Sequence, residues 1–140
     1  MFTIDTSTEF GARITKQLAD ELVIWLTTVG GSGTPAPNPV WFHWNGQQVL
    51  VFSQAAKAKV HNIERNPRVA LHFNATFTGG DVGVLSGTAV IDGSGPTAEE
   101  LAMYDAKYAE GLASLTMSAE DFHREYPVLI RITPDKLRGF

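Results

Sequence analysis

Three prolines at alternate positions, Pro35, Pro37 and Pro39, fall in the segment Thr34 to Trp44, which otherwise reads as a strand. Successive residues of a strand aim their backbone N–H groups at opposite edges, so these prolines remove donors from one and the same edge. That edge keeps its carbonyls but cannot sustain a normal ladder. The other edge retains the N–H groups of Ala36, Asn38 and Val40 and can pair normally. The first donor on the proline edge is the N–H of Trp41. Such an edge has two uses: it blunts edge-to-edge aggregation, or it leaves room for a flat ligand with ring donors and carbonyl acceptors. Further along, Trp41 and His43 alternate with Val40, Phe42 and Trp44, so one set faces the core and the other faces away. Trp41 is then either a core aromatic or a stacking surface.

A second feature follows at once. The stretch LVFSQAAKAKVHNIERNP, Leu50 to Pro67, reads as an apolar strand ending at Ser53 and a helix from about Ala55 to Asn66, stopped by Pro67. A helix start leaves N–H groups unpaired and carries partial positive charge. Here Ser53, Lys57, Lys59 and Asn62 add a hydroxyl, two ammonium groups and an amide, a donor set suited to phosphate. The alternative is structural: Ala56, Val60 and Ile63 form a buried face, and Lys57, Lys59, His61, Glu64 and Arg65 a solvated one.

Composition narrows the options. A chain of 140 residues, 44% hydrophobic, supports one compact domain over residues 1–140. A net charge of -4 argues against a nucleic-acid binder. The absence of cysteine excludes disulfides, thiolate metal sites and thiol catalysis. The start MFTIDTSTEF has no basic, then apolar, leader pattern, and the longest apolar run, Leu22 to Leu26, is too short to span a bilayer. A cytoplasmic location and no membrane or nucleic-acid partner are expected.

The remaining elements alternate between strands and helices. Thr8 caps a helix to Leu18, with Gly11 a weak point. Leu22 to Val29 is an apolar, β-branched strand. Gly30 to Gly33 turns the chain into the proline strand, and Asn45-Gly46 signals a hairpin into Gln48 to Ser53. Strands are expected over Arg68 to Asn74, Val82 to Ile91 and Val128 to Thr133, the last broken by Pro134. Thr97 caps a helix from Ala98 to about Glu110, and Ser118 with Asp121 resembles a capping box. The expected fold is mainly β with α additions, a six-stranded antiparallel barrel.

TPAPNPVWFHWNG followed by LVFSQAAKAKVHNIERNPRVAL resembles the split β-barrel flavin-binding superfamily that includes pyridoxamine 5'-phosphate oxidase. The likeness is greatest to its actinobacterial branch that uses coenzyme F-420, an 8-hydroxy-5-deazaflavin with a phosphate and an oligoglutamate tail. It runs from about Leu22 to Arg131 and includes the ending RITPDKLRGF. The resemblance implies a homodimer with cofactor sites at the interface. It places the ring along Asn38, Pro39, Val40 and Trp41, and the phosphate at Ser53, Lys57, Lys59 and Asn62. True pyridoxamine phosphate oxidases end in an R-L-x-P motif that KLRGF at 136–140 does not match, so oxidation of vitamin B6 phosphates is not expected.

The implied activity is hydride transfer from reduced F-420 to an unidentified electron-poor small molecule. No catalytic side chain is assigned; His43 and His61 are the proton-donor candidates by position, and Tyr104, Tyr108 and Tyr126 read as core or rim residues. FMN in the same fold, serving an oxidase or flavin reductase, is the alternative cofactor. Lys16, Arg65, Arg68, Lys136 and Arg138 are candidates to line a groove for an acidic tail. A non-catalytic cofactor- or haem-binding protein is the alternative of another class, with His43, His61, His72 and His123 as available imidazoles. There is no G-x-S-x-G elbow, and the glycines at 30, 31 and 33 lie between strands rather than before a helix, which argues against a nucleophilic serine and a Rossmann site.

Overall fold

The prolines have the consequence that strand geometry requires. In the computed structural model, which describes residues 1–140, β2 (Pro35–Val40) has one neighbour, the antiparallel β1 (Ile24–Val29), with Trp25, Thr27 and Val29 opposite Pro39, Pro37 and Pro35. The proline edge is unpaired and is one end of the sheet. The expected single strand Thr34 to Trp44 is in fact two. It breaks at Trp41-Phe42, and His43–Trp44 form a separate short strand, β3, paired with β4 (Val49–Ser53). This break makes seven strands of the expected six.

The remaining strands are β5 (Arg68–His72), β6 (Gly83–Ile91) and β7 (Val128–Gly139), in the order β2-β1-β5-β6-β7-β4-β3. β2 and β3 therefore hold opposite ends of the sheet although only Trp41 and Phe42 separate them. Laid flat, seven strands would put these ends about 29 Å apart, whereas three residue steps span at most about 11 Å. The sheet must curl until its ends nearly meet. That is the mainly β, antiparallel split barrel.

Its interior is a single apolar cluster. Alternate residues Ile24, Leu26, Leu71, Leu85 and Ile130 point inward, joined by Ile14 and Leu18 of α1 (Glu9–Asp20), which closes one end. Thr8 caps α1 by accepting from the Gly11 N–H at 3.0 Å. Gly11 is required there because a Cβ would strike the Asp5 carbonyl. The Asn45-Gly46 turn joins β3 to β4, with Gly46 at φ +96° and Asn45 Oδ1 accepting from the Gln47 and Gln48 N–H groups.

Two expected boundaries move. The helix after β4, α2, spans Ala58–Arg65 rather than starting at Ala55, and Ala56 is exposed while Val60 and Ile63 are buried. β7 does not stop at Pro134. A bulge opposite Ser86-Gly87 takes up the extra residue, and Gly87 lets Pro134 approach where a Cβ would meet the Thr133 carbonyl.

Between β6 and β7 the chain inserts three helices, α3 (Ala98–Lys107), α4 (Ala109–Ser114) and α5 (Ala119–Glu125). Thr97 and Glu100 form a complete capping box at α3. Ser118 caps α5, but Asp121 turns its carboxylate to Arg124 instead of returning the bond. Tyr104, Tyr108, Leu112 and Phe122 of these helices make a second, smaller core, separate from the barrel interior.

Candidate functional site

Where the second core meets the barrel, a half-open cavity of about 270 Å³ remains. One wall is the end of β2 and the strand break: Pro39, Val40 and Trp41. The floor is Phe52 and Ser53 of β4 with Gln54 of the following turn, and one end is Lys57 and Lys59. The helical insertion supplies the opposite wall, Tyr104, Leu115, Met117, Phe122 and Tyr126. The result is a slot with aromatic sides and a basic end.

The strand break is held by two residues from the end of α3. The Phe42 N–H donates to the Tyr108 hydroxyl at 2.8 Å, and that hydroxyl donates to the Leu22 carbonyl, also at 2.8 Å. The Phe42 carbonyl accepts from Lys107 Nζ at 3.0 Å, with the ammonium 3.7 Å from the Phe42 ring centroid. Burial pushes the Lys107 pKa down to about 8, against the pull of Asp20 and Glu21. The backbone groups freed where the strand leaves one sheet edge for the other are thus satisfied.

Six of the eight residues expected to hold a cofactor line the cavity: Pro39, Val40, Trp41, Ser53, Lys57 and Lys59. Two do not. Asn38 is exposed on β2 with its backbone opposite Leu26 of β1. Asn62 is buried between Val60 and Ile63, donating to Thr28 Oγ1 at 3.0 Å and accepting from Arg65 at 2.7 Å, so its amide joins α2 to the barrel. Ser53 is buried and its hydroxyl donates to the Gln54 carbonyl at 2.9 Å. An anion would receive that proton only after the hydroxyl rotates.

Lys57 is the N-cap of α2 and makes no side-chain capping bond, which leaves the first N–H groups of the helix without a side-chain acceptor. Burial, and secondarily the charge of Lys57, lower the Lys59 pKa. Two cations crowded at an uncapped helix start favour an anion of matching charge. Trp41 is held by other aromatics: its ring stacks on Tyr108 at 4.4 Å and 4° and on Phe122 at 5.8 Å and 23°. It packs as a core aromatic while still lining the slot.

None of the four histidines lines the cavity. His43 is buried beside Lys107, which together with burial depresses its pKa. His61 lies on the exposed side of α2, 3.6 Å from Glu64, and His72 stacks on Trp25. His123 pairs with Asp105 at 2.7 Å. The proton-donor candidates His43 and His61 are therefore both outside the lining of the slot. Of the other wall residues, Tyr104 and Tyr126 read as core or rim in the sequence, and Phe52, Leu115, Met117 and Phe122 carry no site signal there; most come from the helical insertion. Helical aromatic spacing reads as core in any sequence; only the docking of α3–α5 beside β2 and β4 turns one side of it into a wall.

No curated protein matches this chain in sequence. Solved structures do share its fold. The haem storage protein HutZ from Vibrio cholerae aligns over 94% of this chain and 95% of its own, with a TM-score of 0.70 at 16% identity. A protein described as an F420 reductase aligns over 88% of this chain and 94% of its own, with a TM-score of 0.62 at 21% identity. HupZ of Group A Streptococcus covers 98% of this chain and 92% of its own, with a TM-score of 0.63 at 18% identity. At these identities the likeness is one of fold. The family model for pyridoxamine 5'-phosphate oxidase matches residues 10–139, from α1 to the end of β7. With the proline-edged split barrel, the lysine-ended slot and this match over nearly the whole chain, the protein belongs to the pyridoxamine 5'-phosphate oxidase family, whose fold binds flavins.

Proposed function

We propose that this chain is an oxidoreductase that uses the deazaflavin coenzyme F-420 to reduce an electron-poor small molecule. The observation that carries the reading is the slot itself, with aromatic and apolar walls along its length and Lys57 and Lys59 at one end. These residues suit a planar ring joined to a phosphate. When bound, the reduced deazaflavin supplies a hydride from C5. The protein's part is placement: Pro39, Val40 and Trp41 offer a flank without backbone donors from the prolines, the lysines neutralise the phosphate, and Phe52, Phe122 and Tyr126 exclude water.

At about 270 Å³ the cavity is a little below the roughly 300–1,000 Å³ of most small-molecule sites. A cofactor with an oligoglutamate tail would extend beyond it through the open side. The proposed assembly is accordingly a homodimer in the cytoplasm, the second copy covering the open side. FMN would use the same slot and remains the alternative cofactor. A haem-binding role has support from the shared fold of HutZ, but no imidazole of this chain lines the slot to act as axial ligand.

Titration of the purified protein with oxidised F-420 and, separately, with FMN tests the reading. Tighter binding of F-420 is expected, weakened at least about tenfold in Lys57→Ala or Lys59→Ala, the value of one charge-assisted hydrogen bond. Preference for FMN would make the protein a flavin enzyme instead, and binding of neither would remove the cofactor reading.

A further inference from the structure

Every buried side-chain nitrogen and oxygen of this protein has a hydrogen-bond partner except one, the hydroxyl of Tyr104. Tyr104 is 1% exposed and lines the slot. A buried donor without an acceptor destabilises the fold, and phenylalanine would fill the same space without that penalty. The nearest neighbours of Tyr104 are apolar rings or groups already paired, with the His123 ring 5.7 Å away and Tyr126 also on the slot wall. Phe52 meets its ring edge-on at 4.8 Å and Phe122 lies at 5.8 Å, and neither carries a polar side-chain atom. Tyr108, 4.8 Å away, spends its hydroxyl on the strand break, and Asp105 is paired with His123. Of the two phenols at the end of α3, Tyr108 is structural and Tyr104 is unpaired.

We propose that the Tyr104 hydroxyl is the hydrogen-bond donor with which the slot recognises an sp² oxygen, a carbonyl or its equivalent, on a planar conjugated ligand. The inference rests on the slot being the ligand site of the proposed function and specifies the chemistry it selects. Planarity follows from the aromatic walls, and an anionic end from Lys57 and Lys59. Burial raises the pKa of the phenol, so it stays protonated and able to donate throughout the neutral range. The oxygen can belong to the cofactor ring or to the molecule being reduced.

A matched pair of probes isolates this contact. Anthraquinone-2-sulfonate and anthracene-2-sulfonate share three fused rings and one anionic group, and only the first has carbonyls. The wild type is expected to bind the quinone, and Tyr104→Phe to bind it about 3- to 10-fold more weakly, the worth of one hydrogen bond. Both proteins should bind anthracene-2-sulfonate equally, and the ligand-free variant should melt no lower than the wild type. Oxidised F-420 separates the two sources of the oxygen: a parallel loss in the variant assigns it to the cofactor, an unchanged affinity to the substrate. Unweakened quinone binding in Tyr104→Phe, equal loss of both probes, or no binding of either by the wild type overturns the inference. Failure of F-420 to bind while the quinone keeps its dependence on Tyr104 overturns the deazaflavin reading alone.

Discussion

Glu100 shows how much one side chain can organise here. Its carboxylate accepts from Arg131 at 2.8 and 3.1 Å, from the Thr97 N–H at 2.9 Å and from Asn45 Nδ2 at 2.8 Å. It thereby ties the start of α3 to β7 and to the β3–β4 hairpin, and so helps dock the helices that wall the slot. The Arg131 guanidinium, followed by the Thr97 and Asn45 donors, outweighs burial and holds its pKa down to about 2. A carboxylate depressed in the folded state contributes stability above its unfolded pKa, about 4.5, and loses it as pH falls toward 2. Glu100→Gln is expected to cost on the order of 3 kcal/mol at pH 7 and to flatten the acid limb of stability below about pH 4.5, which urea melts across pH would show. In the sequence Glu100 is legible only as the third residue after its cap Thr97. Arg131 and Asn45 reach it through pairings that span 31 and 55 residues. Asn62 is the converse case: its place beside the lysines suggested a ligand, and its partner Thr28, 34 residues away, makes it structural.

Element boundaries depend on the same distant partners. Nothing local ends the strand at Trp41; it ends because Tyr108 and Lys107 meet Phe42 there and supply the bonds a neighbouring strand would have given. Tyr108→Phe keeps the stacking on Trp41 but strands the Phe42 N–H and the Leu22 carbonyl. The variant is expected to lose about 1–3 kcal/mol in equilibrium denaturation, with faster hydrogen exchange at Phe42. It should also weaken ligand binding, since Trp41 lines the slot. Pro134 misleads in the other direction. A proline normally ends a strand, but a bulge and the bare backbone of Gly87 let β7 continue past it. Helix caps, by contrast, are local chemistry, and Thr8, Thr97 and Ser118 all cap where the sequence places them.

At the scale of the molecule, the slot lies between two cores and is open on one side. If the proposed second copy covers it, sedimentation equilibrium should give twice the 15.2 kDa chain mass, and dilution to monomer should weaken F-420 binding in step. A monomer that binds F-420 with full affinity would place the whole site in one chain. The sequence by itself determined what depends on neighbouring residues: a strand with a donorless edge, hairpins, helix caps, and two lysines at a strand-to-helix turn. These follow from missing N–H groups, turn chemistry and spacing, all within a few residues. Only the tertiary structure decided that the proline strand would divide and draw the two sheet ends together. It alone set α3–α5 against β2 and β4, turned Asn62 inward, and left Tyr104 as the one buried donor without an acceptor. Such outcomes rest on contacts between segments far apart in the chain, where packing rather than local preference determines which face of a residue is covered.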